Sequence, residues 1–356
     1  MALVGLLLAV ACAGGGGGAA PAASKAPPVP ASESGPAATA GGAGAAAAPA
    51  PARPAEPAWQ MHKMTVPYTP VGGPMAPLWI AVEEKLFEKH GLEVTPQFVG
   101  GSSPITQAMA AGEFDLGVGN GGTAALNKLS GGDILIVALH APYFSIDAWS
   151  KPEIRSIPEL RGKTIGVTRL GSSTHFAAMA MLASAGLQPT DVTLLQTGGL
   201  GESLAALFSL QTDAVMLAPP QNMEAQKAGF HQVAVLSQLG EYGKFPETGV
   251  LAREAVLTDP RRREIGVRFL RAFDEALVLA KTNAEVTKRA YRKYTQVDDD
   301  AVLQATYDFY SGFFPNSQRV EDQTIRNLLT FLDHPGAKDA DPRIFYDNSL
   351  VDEAAR

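Results

Sequence analysis

Lys163-Thr164-Ile165-Gly166-Val167-Thr168-Arg169-Leu170-Gly171-Ser172-Ser173-Thr174-His175-Phe176 is the stretch that decides how this chain folds. The β-favouring run 164–167 gives way to a loop with a glycine. Ser172 then stands where a hydroxyl caps the helix read over 172–185, which Gly186 closes. A strand whose carboxyl end feeds a helix N-terminus is half of a strand-helix-strand unit, and the pattern recurs in both directions. Downstream, strands are read at 192–196, 214–217 and 233–236, with helices at 202–210 and 222–228 between them. Upstream, strands at 64–68, 92–98, 116–118 and 134–139 alternate with helices at 76–90, 103–111 and 123–130. Ser103-Pro104 reads as a cap followed by proline in the first turn, and Gly112 as the stop. Such alternation predicts an α/β fold of mainly parallel sheets covered by helices. Beyond Arg253 the pattern is helical to about Leu332.

The strand-helix material falls into two units, from Met64 to Leu139 and from Ile157 to Leu236, joined by the extended stretch 143–149. Two such lobes leave a cleft between the carboxyl ends of their sheets, where open α/β folds bind ligands. The connections 144–150 and 237–248 are the expected hinges.

The 356 residues are unevenly composed: among the 46 positions from Ala13 to Ala58 there are 19 alanines, 9 glycines and 9 prolines. Nothing there has a side chain that could drive a core, so 13–58 reads as a tether. Before it, residues 2–11 form an apolar run too short to span a bilayer, ending in Ala9-Val10-Ala11-Cys12. This is similar to a bacterial lipobox, although Ala9 stands where Leu is usual and no basic residue precedes the run. The net charge of −7 argues against a nucleic-acid partner. Cys12 is the one cysteine, which leaves no disulfide framework and no cysteine-based metal site for the folded part.

Several loops carry candidate ligand contacts. After the strand at 164–167, Arg169 and the hydroxyls of Ser172, Ser173 and Thr174 meet a helix N-terminus, which together read as an anion seat. Gly117-Val118-Gly119-Asn120-Gly121-Gly122 contains G-x-G-x-x-G, but Leu139-His140 stand where a dinucleotide site needs an acid. It reads instead as a tight loop offering Asn120, Gly121 and Thr123 to the cleft. The first loop supplies Pro70, Gly72, Gly73 and Met75 as a rigid rim. Phe144, Trp149 and the Pro219-Pro220 turn are read as cleft-lining, whereas Trp79, on its helix's apolar stripe, is read as core. The six histidines are scattered, and no H-E-x-x-H, G-x-S-x-G, Walker loop or calcium loop occurs. Arg261-Arg262-Arg263 is interspersed with acids and reads as a solvated helix face.

Four stretches carry a family resemblance: 76–81 (APLWIA) leading into 86–94 (LFEKHGLEV), 111–119 (AGEFDLGVG), 160–167 (LRGKTIGV) and 171–174 (GSST). With them the chain resembles substrate-binding proteins of ABC importers of the nitrate/sulfonate/taurine type, within the thiamine-pyrimidine-synthase-like superfamily, over about 64–332. The resemblance implies a two-lobed type II periplasmic-binding-protein fold. Its segments are 1–12 as a signal peptide ending in a lipidated Cys12, the tether at 13–58, lobe 1 at 59–149, lobe 2 at 150–240, and 241–356 returning to lobe 1 with C-terminal helices. It implies no enzyme activity, cofactor or metal. The expected partners are a small anionic or polar organic solute, an ABC permease and, through the lipid anchor, a membrane. The protein is expected to be a monomer in the periplasm or at the cell surface. The ligand loops implied are 70–76, 120–123 and 171–174. A ligand-presenting or hydrophobic-molecule-carrying role outside transport is the alternative. Enzymes of the superfamily that make the thiamine pyrimidine carry a cysteine-rich motif, which the chain lacks.

Overall fold

A computed structural model describes residues 61–356; the expected signal peptide, Cys12 and the tether lie outside the described residues. Ten strands form two sheets of five. The strands are β1 (His62–Tyr68), β2 (Leu92–Phe98), β3 (Leu116–Gly119), β4 (Ile134–Tyr143), β5 (Asp147–Ser150), β6 (Thr164–Val167), β7 (Thr193–Gln196), β8 (Ala214–Leu217), β9 (His231–Val235) and β10 (Lys244–Arg253). The helices between them are α1 (Ala76–Glu83), α2 (Leu86–Lys89), α3 (Ser102–Ala110), α4 (Gly121–Leu129), α5 (Ser173–Ser184), α6 (Leu200–Phe208) and α7 (Gln221–Lys227). After β10 come α8 (Glu254–Thr258), α9 (Pro260–Thr282), α10 (Ala284–Thr295), α11 (Asp300–Phe313), α12 (Asp322–Phe331) and α13 (Ser349–Ala354).

The first sheet has the order β2-β1-β3-β10-β4 and the second β7-β6-β8-β5-β9. Each therefore repeats one plan: four strands pointing the same way, with a fifth lodged antiparallel between the third and fourth. The intruder in each case belongs to a crossover. β5 is the first strand the chain makes after leaving lobe 1, and β10 is the strand by which it returns. This is the type II arrangement, and mixed pairing in the two sheets is its direct result. The expected extended stretch 143–149 is thus half loop and half strand. β10, which sequence reading leaves inside a connection, is a central strand of the first sheet.

Two local readings are corrected. The helix expected over 76–90 breaks at Lys85, which is left-handed with φ 56°, so two short helices replace one. α3 starts at Ser102, one residue before the expected cap, and Gly101 precedes it without a side-chain cap. Ser102 Oγ instead accepts the Asn120 backbone N–H at 3.1 Å. The expected cap at Ser172 is found, with its hydroxyl accepting the N–H of His175.

α9 begins with Asp259 accepting from Arg262 N at 2.9 Å and buries Phe269, Phe273 and Ala276 against lobe 1. Two of the three arginines at its start are paired, Arg262 with Asp115 and Arg263 with Glu353. Trp79 is wholly buried and stacks on Tyr294 at 4.9 Å. A second apolar cluster runs without interruption from Ile105 and Ala124 in lobe 1, through Phe144 and Phe245 in the crossovers, to Phe176 and Met181 in lobe 2. Among the described residues no helix is long and apolar enough to cross a membrane.

Candidate functional site

A cavity of about 460 Å³ lies between the two sheets, within the size range usual for small-molecule sites. Its walls are the loops that leave the carboxyl ends of the strands. Lobe 1 contributes Thr69 to Gly72 and Pro74 after β1, Phe98 at the end of β2 and Gly100 to Ser102 beyond it; lobe 2 contributes Thr168, Arg169 and Ser172 to Thr174 after β6. Gly198 to Glu202 after β7, Ala218 and Gln221 around the β8 turn, Ser145, Ile146 and Glu247 from the crossovers, and Tyr310 of α11 complete it.

Of the residues singled out in the sequence, Pro70, Gly72, Arg169, Ser172, Ser173 and Thr174 line this cavity. Gly73, Met75, Asn120, Gly121, Thr123, Phe144 and Pro219 do not. Gly73 is pressed against Tyr310, so that a Cβ there would lie 1.8 Å from the ring. Met75 is core, and Gly121 packs on Ile136 and Pro246. Asn120 caps α4 by accepting from Gly122 N at 2.6 Å, and Thr123 donates to the Asn120 carbonyl at 2.9 Å. Phe144 stacks on Phe245 at 4.3 Å, and Trp149 packs in the lobe 2 core. The Pro219-Pro220 turn presents its neighbours, Ala218 and Gln221, to the cavity in place of Pro219 itself.

The hydroxyls after β6 are mostly turned on one another. Thr168 Oγ1 donates to Ser172 Oγ at 2.9 Å, Thr174 Oγ1 accepts Thr168 N at 2.8 Å, and Ser172 Oγ donates to the Arg169 carbonyl at 2.6 Å. This closed set shapes the loop. Ser173 faces the other way and accepts from Asn120 Nδ2 at 2.8 Å, a hydrogen bond between the lobes. The lobes meet again where Arg169, itself exposed, lies over the Gly100-Gly101 turn: a Cβ on Gly101 would sit 3.0 Å from Arg169 Cδ.

The strongest electrostatic feature of the cavity escaped the sequence reading. Glu247 is 3% exposed, and its Oε2 accepts the Ser145 N–H at 2.6 Å. Burial pushes its carboxyl up to about 8, against which the Ser145 hydrogen bonds act only in part, and Asp147 nearby pushes the same way. Asp147, accepting from Gln232 and Leu236, is itself raised to about 6 by burial. Tyr310 donates to Ser145 Oγ at 3.4 Å, and burial raises its phenol. Glu247 sits where the pairing of β10 with β4 is irregular: Lys244 faces Tyr143 and Thr248 faces Ala141, with a register shift between. A bulge of this kind re-aims a side chain, here out of the ladder and into the cavity.

Residues 74–287, more than half of the chain, match the family described as NMT1/THI5 like. The chain belongs to that family. The match begins in the loop after β1 and ends in α10, so it takes in every strand except β1 and most of the cavity wall. A Brucella abortus protein provisionally described as a binding protein is 29% identical over 223 residues, 62% of this chain and 67% of that one. A solved structure from Bordetella bronchiseptica is similar with a TM-score of 0.72 at 22% identity, covering 83% of this chain and 97% of that chain. The alkanesulfonate-binding protein of Xanthomonas axonopodis has a TM-score of 0.64 at 19% identity, over 83% and 99% of the two chains. The periplasmic nitrate-binding protein of Synechocystis has 0.65 at 14%, over 83% and 89%. These likenesses show the periplasmic-binding-protein fold.

Proposed function

We propose that this protein is an extracytoplasmic solute-binding protein, not an enzyme, which captures a small polar organic solute between its lobes and delivers it to an ABC permease. The observation that carries the reading is the cavity itself, built from carboxyl-end loops of both sheets, so that a solute bridging them favours the closed arrangement of the lobes. The relatives named as binding proteins, and the fold shared with alkanesulfonate- and nitrate-binding proteins, support it. The apolar run before Cys12 supports a lipid anchor, with 13–58 as the tether that lets the binding body reach the permease from the membrane surface.

Native mass spectrometry of the protein purified from its own envelope fraction tests capture: a small solute is expected to be released on denaturation. Protein that carries none, and that no member of a broad solute panel stabilises, would sink the proposal. For the anchor, Cys12→Ser is expected to move the protein from the membrane to the soluble fraction.

A further inference from the structure

Two buried polar groups of the cavity wall, Glu247 and Gln221, are acceptors with room for a further donor, whereas the donor of the wall, Arg169, is exposed. Glu247 is almost wholly buried, and its donors among the described residues come from Ser145 alone. Gln221 lines the same cavity with a buried Oε1 that has no hydrogen-bond partner. The charged residues of the wall are Glu202, Glu247 and Arg169, two acids against one base, and the base is exposed at the rim. Glu202 also folds back on the start of its own helix, its Oε2 lying 2.4 Å from where a Cβ on Gly199 would be, so that the positive end of α6 already faces a carboxylate. The hydroxyls of Thr168, Ser172 and Thr174 are occupied with one another. A buried acceptor left without a donor is costly, so the arrangement calls for a ligand that brings N–H groups.

We infer that the solute is held by a cationic N–H donor end, a protonated amine or amidine, seated on the Glu247 carboxyl group and on Gln221 Oε1. This rests on the solute-capture reading and names the chemistry of its ligand. The groups that face Glu247 are Ser145 on the first crossover, Asp147 on β5 and Tyr310 on α11; none is a cation, so a counter-charge for the ionised carboxylate is left for the ligand to supply. With the carboxyl held up at about 8 in the empty cavity, a cation arriving at pH 7 displaces the Glu247 proton to solvent and pairs with the carboxylate.

Calorimetry with matched probes tests this: benzylamine and benzamidine against benzoate, benzenesulfonate and benzyl alcohol, in two pH 7 buffers of different ionisation enthalpy. The amine and amidine are expected to bind more tightly than the matched anions and to release about one proton on binding. Glu247→Gln keeps the shape of the neutral acid, so it is expected to fold, to bind the cations about tenfold or more weakly and to release no proton. Gln221→Met is expected to weaken the cations too, with an unchanged proton count. Preference for the anions, or cation binding that Glu247→Gln leaves intact, would overturn this inference and leave solute capture standing. A panel in which neither the amine nor the amidine binds would also overturn this inference, while solute capture itself stands or falls on the envelope-purified protein and the broad solute panel.

Discussion

Two buried groups push the pH response of the fold in opposite senses. Glu247 has an ordinary value of 4.5 and is raised to about 8, so the folded state keeps a proton that the unfolded chain has lost. Its contribution is complete below pH 4.5 and is lost as pH rises towards 8. His140, wholly buried against Phe273, is lowered by burial from 6.5 to about 3, so its contribution is present above pH 6.5 and is lost as pH falls towards 3. Asp147 acts in the direction of Glu247, but only up to about 6. Above 6.5, Glu247 is the one of the three that still titrates differently in the two states. The melting temperature is therefore expected to fall between pH 6.5 and 8, and Glu247→Gln to flatten that fall; a melting profile as steep in the variant as in the parent would contradict it. At Gly73, steric contact decides the outcome. A methyl there collides with the buried Tyr310 ring, so Gly73→Ala is expected to cost about 1–3 kcal/mol in chemical denaturation.

The loop between β6 and α5 separates shape from recognition within three residues. Ser172 caps the helix and ties Thr168, Thr174 and the Arg169 carbonyl together, so Ser172→Ala is expected to lower stability by about 0.5–2 kcal/mol. Ser173 holds the lobes through Asn120, so Ser173→Ala is expected to weaken solute binding while leaving the melting temperature within about a degree. Equal losses of stability in both variants, by thermal melting, would show that the division is wrong. Much of this loop was legible in the sequence, because strand, glycine, capping serine and helix follow one another within 13 residues of local signal. β10 was not. Phe245-Pro246-Glu247-Thr248-Gly249 contains a proline and a glycine, which read as linker residues, and its pairing with β3 and β4 joins strands more than 100 residues apart in sequence. Glu247 was hidden for a related reason: an acid in a connection is normally solvated, and only the return of the chain between β3 and β4 buries it. Tyr310 and Gln221 reach the cavity through tertiary packing that no local pattern encodes. Conversely, Asn120 and Thr123 looked like open polar groups because their residue types fit a cleft, whereas the start of α4 uses them for its own backbone.

At the scale of the molecule, the alternation of strands and helices announced two lobes, but the exchange of one strand between them did not show in it. β5 and β10 make each sheet dependent on the crossovers. The expected hinges 144–150 and 237–248 overlap β5 and the start of β10, so turning is proposed for the segments outside those strands, the loop 144–146 and the short 3-10 turns of 236–243. Binding of a solute is expected to reduce the radius of gyration in solution scattering, and identical curves with and without bound solute would refute turning about these loops. The apolar cluster from Ile105 to Met181 runs through the same crossovers, with Phe144 stacked on Phe245 and Phe176 packed against Phe245 within it. Because one lobe cannot melt without stripping the other of these contacts, residues 61–356 should absorb heat in a single calorimetric peak. The ratio of its calorimetric to van't Hoff enthalpy should be about one, despite the molecule having two sheets. A body with two sheets would then have no half-unfolded intermediate, with one lobe melted and the other intact, to expose to proteases or to other unfolded chains.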